Sequence, residues 1–310
     1  MTTKSLRTAY GETLVELGKE NNKIVALEAD LGKSTMSNLF QQAFPDRYFE
    51  MGIAEQNMAS TAAGLSLTGK IPFISSFAIF ASGRDYDQLR QTICTAKLNV
   101  KICGSSSGLS DFGDGSTHQS IEDMAIMRAI PNMTVLIPVD AVETRKMVRA
   151  MVDWPGPIYL RINRNDLPIL TSEESDFQIG KLYTIREGKD VVVFANGVMV
   201  SKALEAAELL EQQGVSVKVV NVSTIKPLDR QGVIDCARSC KAVVTAEEHT
   251  IIGGLGSAIA EALRGETGRA IEFVGVQDSF GTSAQNYAEL LNYYSLTSQA
   301  IVDAVRKLLK

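Results

Sequence analysis

The chain has 310 residues, of which 45% are hydrophobic and 22% charged, a composition typical of a folded globular protein. Its 31 basic and 36 acidic residues give a net charge of −5, which argues against nucleic-acid binding because no cationic surface is available for a phosphate backbone. The N-terminal segment has no apolar core, and no stretch reaches the ~18 apolar residues that a membrane-spanning helix needs. We therefore expect a cytoplasmic protein without nucleic-acid or membrane partners.

Helical patterns alternate with short runs rich in Val and Ile, which indicates parallel sheets covered by helices. In the first half of the chain, strands are predicted at 24–30, 71–77, 100–106, 134–140 and 157–163. Helices are predicted around and between them, at 5–21, 54–67, 83–98 and 141–154. These elements predict a doubly wound α/β domain.

A polar segment at 171–190 has few consecutive apolar positions, which suits a linker. We place the domain boundary within it, giving domains at 1–180 and 181–310. Beyond it the alternation restarts, with a helix at 200–214 and strands predicted at 190–197, 216–223, 242–248 and 271–276. The second domain is therefore predicted to be a smaller α/β unit.

A glycine-rich loop at 113–120, with the sequence GDGSTHQS, lies between a predicted strand and a helix, where α/β sheets usually bind ligands. Asp114 could bind a substrate hydroxyl, and His118 could donate or accept a proton in the same cleft. The alternative is an ordinary turn in which Ser116 or Thr117 caps a helix, which would leave His118 without a role. Both interpretations stay open on these residues alone.

Four further features have ordinary structural explanations. Glu55 stands at the start of a helix rich in small residues, where a carboxylate is normally a favourable partner of the helix dipole. The segment GGLGSA at 253–258 could bind phosphate at a helix N-terminus, but tight glycine packing is the preferred interpretation. His249 follows two carboxylates, and we expect a solvated loop histidine rather than a ligand contact. The spacing of the histidines and cysteines predicts no metal ligand in this chain.

Five segments taken together carry a family resemblance, namely MGIAEQNM, PFISSFAIFASGR, GDGSTHQ, RINRNDLP and TAEEHTIIGGLGSAIAEAL. In this order and at this spacing, the chain resembles transketolase over nearly its whole length. It is similar to the C-terminal subunit of a split transketolase, which contains the pyrimidine-binding domain and the C-terminal domain. The resemblance implies two doubly wound domains, a thiamine diphosphate pyrimidine-binding domain followed by a smaller transketolase C-terminal-like domain.

The resemblance also implies a set of cofactor contacts. Glu55 would hydrogen-bond the pyrimidine ring of thiamine diphosphate and have a catalytic role. Phe77 and Phe80 match the aromatic wall against which that ring packs, although ordinary sheet core is the alternative for both. Asp30, in the segment EADL, matches a family position near the cofactor. Mg²⁺ is implied as well, bound mainly by a partner subunit, because GDG at 113–115 is not followed by the asparagine of the family's metal motif.

For the substrate, the resemblance implies that His118 and Asp114 contact the sugar, with a catalytic role for His118. Arg164 matches a phosphate-binding arginine, whose guanidinium fork suits a tetrahedral anion. Arg7 and Ser34 fall near two further phosphate contacts of the family. These residues together predict a site for a phosphorylated sugar.

One departure from the family pattern concerns Ser105–Ser107. These serines stand where transketolases usually have a second histidine, which helps to hold the acceptor phosphate. The phosphate contacts are therefore altered here, and a different anionic group or a branched or modified sugar is an open alternative.

The resemblance implies a thiamine diphosphate-dependent transferase that moves a two-carbon ketol unit from a ketose phosphate to an aldose phosphate. Activity would require an N-terminal, diphosphate-binding transketolase subunit, in an assembly of two of each chain. Two alternatives stay open: the beta subunit of a 2-oxoacid dehydrogenase or a deoxyxylulose-phosphate synthase-like half, and a non-catalytic module that keeps the fold. Asp114, His118 and Arg164 favour sugar phosphates over a small 2-oxoacid, which would leave these groups unpaired.

Overall fold

The strands of the first unit form a parallel sheet and a small antiparallel pair. The computed structural model describes residues 2–310. In chain order, these strands are β1 (Thr3–Ser5), β2 (Ile24–Glu28), β3 (Tyr48–Glu50), β4 (Ile71–Phe77), β5 (Lys101–Ser105), β6 (Thr134–Leu136), β7 (Ile158–Arg161) and β8 (Asp166–Pro168). Strands β2 to β7 are parallel and lie in the order β6-β7-β5-β4-β2-β3, whereas β1 pairs antiparallel with β8. The predicted strands of this half are confirmed, although the one predicted at 134–140 ends at Leu136. Strands β1, β3 and β8 are not among the predicted strands, because each is short and lies in no longer apolar run.

Helices cover both faces of this sheet. In chain order they are α1 (Leu6–Glu20), α2 (Gly32–Thr35), α3 (Asn38–Ala43), α4 (Glu55–Leu67), α5 (Tyr86–Gln88), α6 (Asp123–Ala129) and α7 (Ala141–Asp153). Ile24 and Ala26 of β2 lie in the hydrophobic cluster that contains α1, whereas Val25 and Leu27 lie in the cluster that contains α4. Burial of both faces explains why this strand is a continuous apolar run.

The predicted helix at 83–98 is interrupted. π-helical turns occupy Phe80–Arg84 and Leu89–Cys94, on either side of α5. The amide of Asp85 donates to the carbonyl five residues before it, which is the spacing of a π turn. Such wide turns shift the direction of the side chains around them, and Arg84 here reaches the carboxylate of Glu55.

The second unit has a mixed sheet with its own covering helices. The strands after residue 180 are β9 (Tyr183–Arg186), β10 (Val191–Ala195), β11 (Val217–Asn221), β12 (Thr224–Lys226), β13 (Ala242–Thr250) and β14 (Ile271–Val276). The helices are α8 (Met199–Glu211), α9 (Arg230–Arg238), α10 (Leu255–Leu263), α11 (Tyr287–Tyr293) and α12 (Ser298–Leu308). Strands β14-β13-β10-β11 are parallel, and β9, from the segment predicted as a linker, adds an antiparallel edge. Within residues 2–310, no helix combines the length and the hydrophobicity that a membrane span requires.

One strand from the second half of the chain joins the first sheet. Strand β12 pairs antiparallel with β6, and Thr224 lies opposite Leu136. Beside this pairing, the ammonium group of Lys226 donates to the carbonyl of Ile130 just after α6. Main-chain pairing therefore links the two units, and the boundary placed at residue 180 stays a prediction.

A buried ionic network also links the two sheets. Arg161, at the end of β7, is 3% exposed and donates from Nε to Oδ2 of Asp123 over 2.9 Å. Its Nη2 donates over 2.9 Å to the carbonyl of Glu248 in β13. Asn163 donates to Oε2 of the same glutamate over 3.1 Å. Because buried charges are costly without partners, this network favours one fixed arrangement of the two sheets.

Candidate active site

The candidate site lies where the chain segments after β4, β5 and β7 meet the start of α4. Glu55 is the first residue of α4 and is 2% exposed. Arg84 donates from Nη1 to Oε1 of Glu55 over 2.6 Å, so a half-exposed cation pairs with a buried carboxylate. The dipole of α4 also favours an anion at this position. The ion pair and the helix together fix the carboxylate in one place.

Two phenylalanine rings form a wall beside Arg84. Phe77, the last residue of β4, is buried, and its ring stacks on that of Phe80 with centroids 6.2 Å apart and planes inclined by 12°. The guanidinium carbon of Arg84 lies 4.4 Å from the centroid of Phe80. Phe80 is half-buried and lies beyond the strand, so the sheet-core alternative does not describe its position, whereas the buried Phe77 of β4 fits either interpretation.

The imidazole of His118 packs against the same wall. Its ring centroid lies 5.5 Å from that of Phe80 and 6.2 Å from that of Phe77, with the ring planes inclined by 76° and 71°. Its Nδ1 lies 3.0 Å from Oγ1 of Thr117. Helix α6 begins at Asp123, well beyond Thr117, so the helix-cap interpretation of this loop is wrong. The loop instead directs its histidine to the aromatic pair.

Arg164 extends this row of contacts. Its guanidinium carbon lies 5.9 Å from the centroid of Phe77, and its Nη1 donates to Oδ2 of Asp111 over 2.5 Å. Arg7 donates from Nε to the carbonyl of Arg164 over 3.1 Å and from Nη1 to the carbonyl of Ser34 over 2.7 Å. Burial lowers the pKa of Arg7, and the positive charge of Arg164 adds to this effect. Direct contacts therefore connect Glu55, Arg84, Phe80, His118, Phe77, Arg164, Arg7 and Ser34.

Asp111 is a site residue that the sequence analysis does not identify. It is 3% exposed, pairs with Arg164 and adjoins the exposed Asp114. Burial raises the pKa of Asp111, the ion pair with Arg164 opposes this rise, and the negative charge of Asp114 adds to it. The two partners of the ion pair lie 53 residues apart in the sequence, so their spacing gives no signal.

Asp30 and Ser34 line a neighbouring cavity of about 400 Å³, together with Glu50. Asp30 has a left-handed backbone, with φ of 59°, and its amide donates to Oε1 of Glu50 over 2.9 Å. Ser34 joins the row of contacts through its carbonyl, which accepts from Arg7. The structure thus places Asp30 in the adjoining cavity, next to the row of contacts and not within it.

Ser105, Ser106 and Ser107 are buried where the chain leaves β5. In the described part of the chain, their hydroxyl oxygens have no hydrogen-bond partner. Ser106 has a left-handed φ of 52°, and the amide of Ser107 donates to the carbonyl of Ile162 over 3.1 Å. Buried hydroxyls without partners are uncommon and indicate a place where water or a ligand completes the pairing.

Asp85 is a second acid that the sequence analysis does not identify. It is fully buried, and neither of its carboxylate oxygens has a hydrogen-bond partner among residues 2–310. Burial raises its pKa to about 7, the nearby Glu55 adds to the rise, and Arg84 opposes it. The acid beside Glu55 therefore stays neutral to a higher pH than an ordinary aspartic acid does.

His249 is not the solvated loop residue that the sequence predicts. It is fully buried in β13, and its Nε2 accepts from the amide of Ala125 over 3.3 Å. Burial lowers its pKa to about 4, so the imidazole is neutral at physiological pH. The strand continues two residues beyond its predicted end at residue 248, because the second unit packs its polar end against α6.

The glycine segment at 253–258 packs tightly, as predicted. The amide of Leu255 donates to Oε2 of Glu247 over 2.6 Å, and the amide of Gly256 donates to Oε1 over 2.8 Å. Burial raises the pKa of this carboxyl to about 7, while the two amides oppose the rise. A carboxylate of the chain itself therefore occupies the start of α10, where a phosphate would otherwise bind.

Comparison with known proteins identifies both units. The family model "Transketolase, pyrimidine binding domain" matches residues 2–169, and the model "Transketolase, C-terminal domain" matches residues 180–301. A putative transketolase C-terminal section from Methanocaldococcus jannaschii is 43% identical over 310 residues, which cover 99% of this chain and 97% of that protein. A 6-deoxy-6-sulfo-D-fructose transketolase subunit from Clostridium sp. (strain MSTE9) is also 43% identical, over 97% of this chain and 94% of its own length.

A solved structure has the same fold over almost the whole length of both chains. It is described as "Split gene transketolase, inactive beta4 tetramer", is 48% identical to this chain, and superposes with a TM-score of 0.91 over 98% of each chain. The chain therefore belongs to the transketolase family. Its two units are the pyrimidine-binding and C-terminal domains of that family, which confirms the predicted α/β class and the resemblance to the C-terminal subunit of a split transketolase.

Proposed function

We propose that this chain is one subunit of a two-chain transketolase. The enzyme would use thiamine diphosphate to transfer a two-carbon ketol unit from a ketose or ketose phosphate to an aldose or aldose phosphate. The observation that supports this most strongly is the unbroken row of contacts from Glu55 to Arg164. One end of the row suits a flat cofactor ring, and the other end suits a polyhydroxylated, anionic substrate.

The residues around Glu55 fit an aminopyrimidine ring. Phe77 and Phe80 offer apolar faces against which a flat ring can pack. Arg84 occupies Oε1 of the carboxylate, which leaves Oε2 to pair with a ring nitrogen. We also propose Asp30 as a cofactor contact because it matches the family's position in the segment EADL; in the structure it lines the cavity beside Ser34. When bound, thiamine diphosphate supplies the electron sink for cleaving and forming a carbon–carbon bond.

The chain's own side chains would have separate tasks in this reaction. Glu55 would hold a proton at the ring nitrogen, and its buried setting strengthens that hydrogen bond. His118 would donate or accept a proton at a substrate hydroxyl, because its ring lies against the aromatic wall. Asp114 would accept a hydrogen bond from a second hydroxyl. Arg164, supported by Arg7, would bind the anionic end of the substrate.

We infer that the complete enzyme also contains a diphosphate-binding subunit, with two copies of each chain. Two relatives support this inference: one is named a transketolase subunit, and the other is described as an inactive tetramer of its beta chains. Mg²⁺ and the diphosphate group would be bound mainly by that partner. A chain of this kind would thus be inactive by itself.

The other interpretations of the sequence have less support. A small 2-oxoacid, the substrate of a 2-oxoacid dehydrogenase beta subunit, would leave Asp114 and His118 without a substrate group to bind, and Arg164 would keep only its ion pair with Asp111. The relatives reported above are named as transketolases and not as deoxyxylulose-phosphate synthases. A non-catalytic module would not require a buried, ion-paired Glu55 beside a half-buried aromatic wall.

Isothermal titration calorimetry with thiamine diphosphate and Mg²⁺ tests the proposal. The titration is made on this chain alone and on its mixture with the diphosphate-binding transketolase subunit of the same organism. We expect binding only in the mixture, and about tenfold weaker binding with Phe80→Ala, because the ring loses a stacking partner. Phe273→Ala, in β14, is the matched control and should not change the affinity. Absence of binding in the mixture would contradict the proposal.

A further inference from the structure

The arginine proposed to bind the anionic end of the substrate is already ion-paired. Arg164 donates from Nη1 to Oδ2 of Asp111 over 2.5 Å, and the side chains are 36% and 4% exposed, respectively. Removing the partner of a buried carboxylate is costly, because an unpaired charge then remains in a low-dielectric setting. An anion that binds Arg164 must therefore share it with Asp111.

The second arginine of this site, Arg7, already donates hydrogen bonds, and several acids lie near the two arginines. Arg7 donates from Nε and Nη1 to main-chain carbonyls, including that of Arg164. Asp111 is ion-paired with Arg164, and the negative charges of Asp111 and Asp166 act on Arg7. Asp114 adjoins Asp111 and adds a further negative charge beside it. While Asp111 is ionised, the named charges of this end of the site do not sum to a positive value.

The loop that carries Asp111 packs closely on the segment that carries Arg164. The amide of Arg164 donates to Oγ of Ser110 over 3.2 Å, and Ser110 donates in turn to the carbonyl of Ser107 over 2.5 Å. Asn165 donates from Nδ2 to the carbonyl of Ser110 over 3.0 Å. The hydroxyls of Ser106 and Ser107 are buried and have no partner within residues 2–310. This loop thus adds neutral hydroxyls to the site, and no further cation.

We propose, on the basis of the transketolase function proposed above, that Asp111 is a specificity-determining residue. Its carboxylate holds Arg164 and prevents the distal end of the substrate site from becoming net positive. The site then prefers a ketose whose far end carries one negative charge or none over a doubly charged phosphate ester. The physical cause is like-charge repulsion, which is strong where water is partly excluded and which commonly acts against the wrong ligand.

Anion binding by the chain itself tests this inference without turnover. Inorganic phosphate, mostly doubly charged at about pH 8, and singly charged methanesulfonate are titrated against the wild-type chain and Asp111→Asn, with nuclear magnetic resonance as the readout. Asparagine keeps the shape of the side chain, and a melting curve shows that the variant is folded. We expect the dissociation constant of phosphate to fall about tenfold and that of methanesulfonate about threefold or less.

Asp166→Asn is the matched control for this titration. It removes a negative charge from the same end of the site without removing the ion pair of Arg164. We expect the dissociation constant of phosphate to change by less than about threefold. An equal increase in phosphate affinity in Asp111→Asn and Asp166→Asn would overturn the inference. Unchanged or weaker phosphate binding in Asp111→Asn would overturn it too, because Asp111 would then only position Arg164 for phosphate. No measurable phosphate binding to either protein would also overturn it.

A second experiment uses the complex with the diphosphate-binding subunit. The ratio of kcat/KM for fructose 6-phosphate to that for fructose should rise about tenfold in Asp111→Asn. A falling or constant ratio would overturn the inference. If the wild-type complex transferred no ketol unit from either donor, the proposed function would fail, and the anion titration would still decide what the charge of Asp111 does.

Discussion

Arg84 and Glu55 form an ion pair of 2.6 Å in which the cation is half-exposed and the carboxylate is buried. The same guanidinium lies over the ring of Phe80, so one side chain links the acid to the aromatic wall. The two partners lie 29 residues apart, and Arg84 ends a π turn that overlaps the start of the helix predicted at 83–98. We infer that Arg84 holds the Glu55 carboxylate in its orientation before any ligand binds.

Arg84→Met removes this partner while keeping an unbranched side chain over Phe80. We expect the free energy of unfolding to fall by about 1–2 kcal/mol at neutral pH, because Glu55 is left as an unpaired buried charge. Urea unfolding followed by circular dichroism measures the loss. In a Glu55→Gln background the same substitution should cost less than about half as much. An equal cost in both backgrounds would show that the ion pair is not its cause.

Asp85 should make the stability of the protein depend on pH. Burial raises its pKa from 3.8 to about 7 in the folded protein. The folded state therefore gains stability from the protonated acid at a pH below 3.8, the pKa in the unfolded chain, and loses this stability as the pH rises towards 7. The Asp85→Asn side chain cannot ionise. The difference between its melting temperature and that of the wild type should therefore increase by about 2–4 °C as the pH is raised from about 5 to about 8.

Differential scanning calorimetry across this pH range measures the gain. The other buried acids titrate in both proteins, so their contributions cancel in the difference. The exposed Asp87 provides the control, since Asp87→Asn should track the wild type at every pH. A difference between Asp85→Asn and the wild type that stays constant with pH would contradict a raised pKa at Asp85.

Asp114 should act in donor recognition. It is exposed in the loop that carries His118, where its carboxylate can accept a hydrogen bond from a substrate hydroxyl. Asp114→Ala should lower kcat/KM of the reconstituted enzyme by about 10–100-fold for the preferred donor, and much less for the epimer at that hydroxyl. Steady-state kinetics with the two epimers measure the ratio, and Asp278→Ala is the exposed control. Equal losses for both epimers would remove Asp114 from hydroxyl recognition.

The buried pair of Arg161 and Asp123 should matter more for stability than any surface ion pair. Asp123→Asn or Arg161→Met alone should lower the free energy of unfolding by about 3–5 kcal/mol, because each leaves one buried charge without its partner. The double variant should recover part of the loss. Arg149→Met, at a pair with Glu16 on the surface, should cost less than about 1 kcal/mol in the same urea titrations. Equal losses at both pairs would contradict this account of the buried network.

The sequence predicts those parts of the fold that have a local signal. Runs such as Val191–Ala195 are long and apolar enough to identify a buried strand without knowledge of its neighbours. Strands β3 and β12 have three residues each, so only the neighbouring strands that they pair with define them. The burial of His249 is likewise decided by contacts with another unit of the chain, which a loop-like sequence does not reveal.

Some residues of the candidate site could likewise be predicted from the sequence, and others could not. Glu55, Phe77, His118 and Arg164 lie in segments whose combined resemblance could be seen in the sequence, and the structure places them along one row. Their roles stay predictions. The sequence does not reveal Asp111, because its partner is distant in the chain and an aspartate in a polar loop is normally solvated.

The most direct test of the central claim is ketol transfer by this chain mixed with the diphosphate-binding subunit, thiamine diphosphate and Mg²⁺. A ¹³C-labelled ketose donor and an aldose acceptor are supplied, and mass spectrometry follows the labelled two-carbon unit. We predict transfer by the mixture, none by either chain alone, and a loss of about 100-fold or more with Glu55→Gln at an unchanged melting temperature. No transfer by the wild-type mixture, or full activity of Glu55→Gln, would contradict the account.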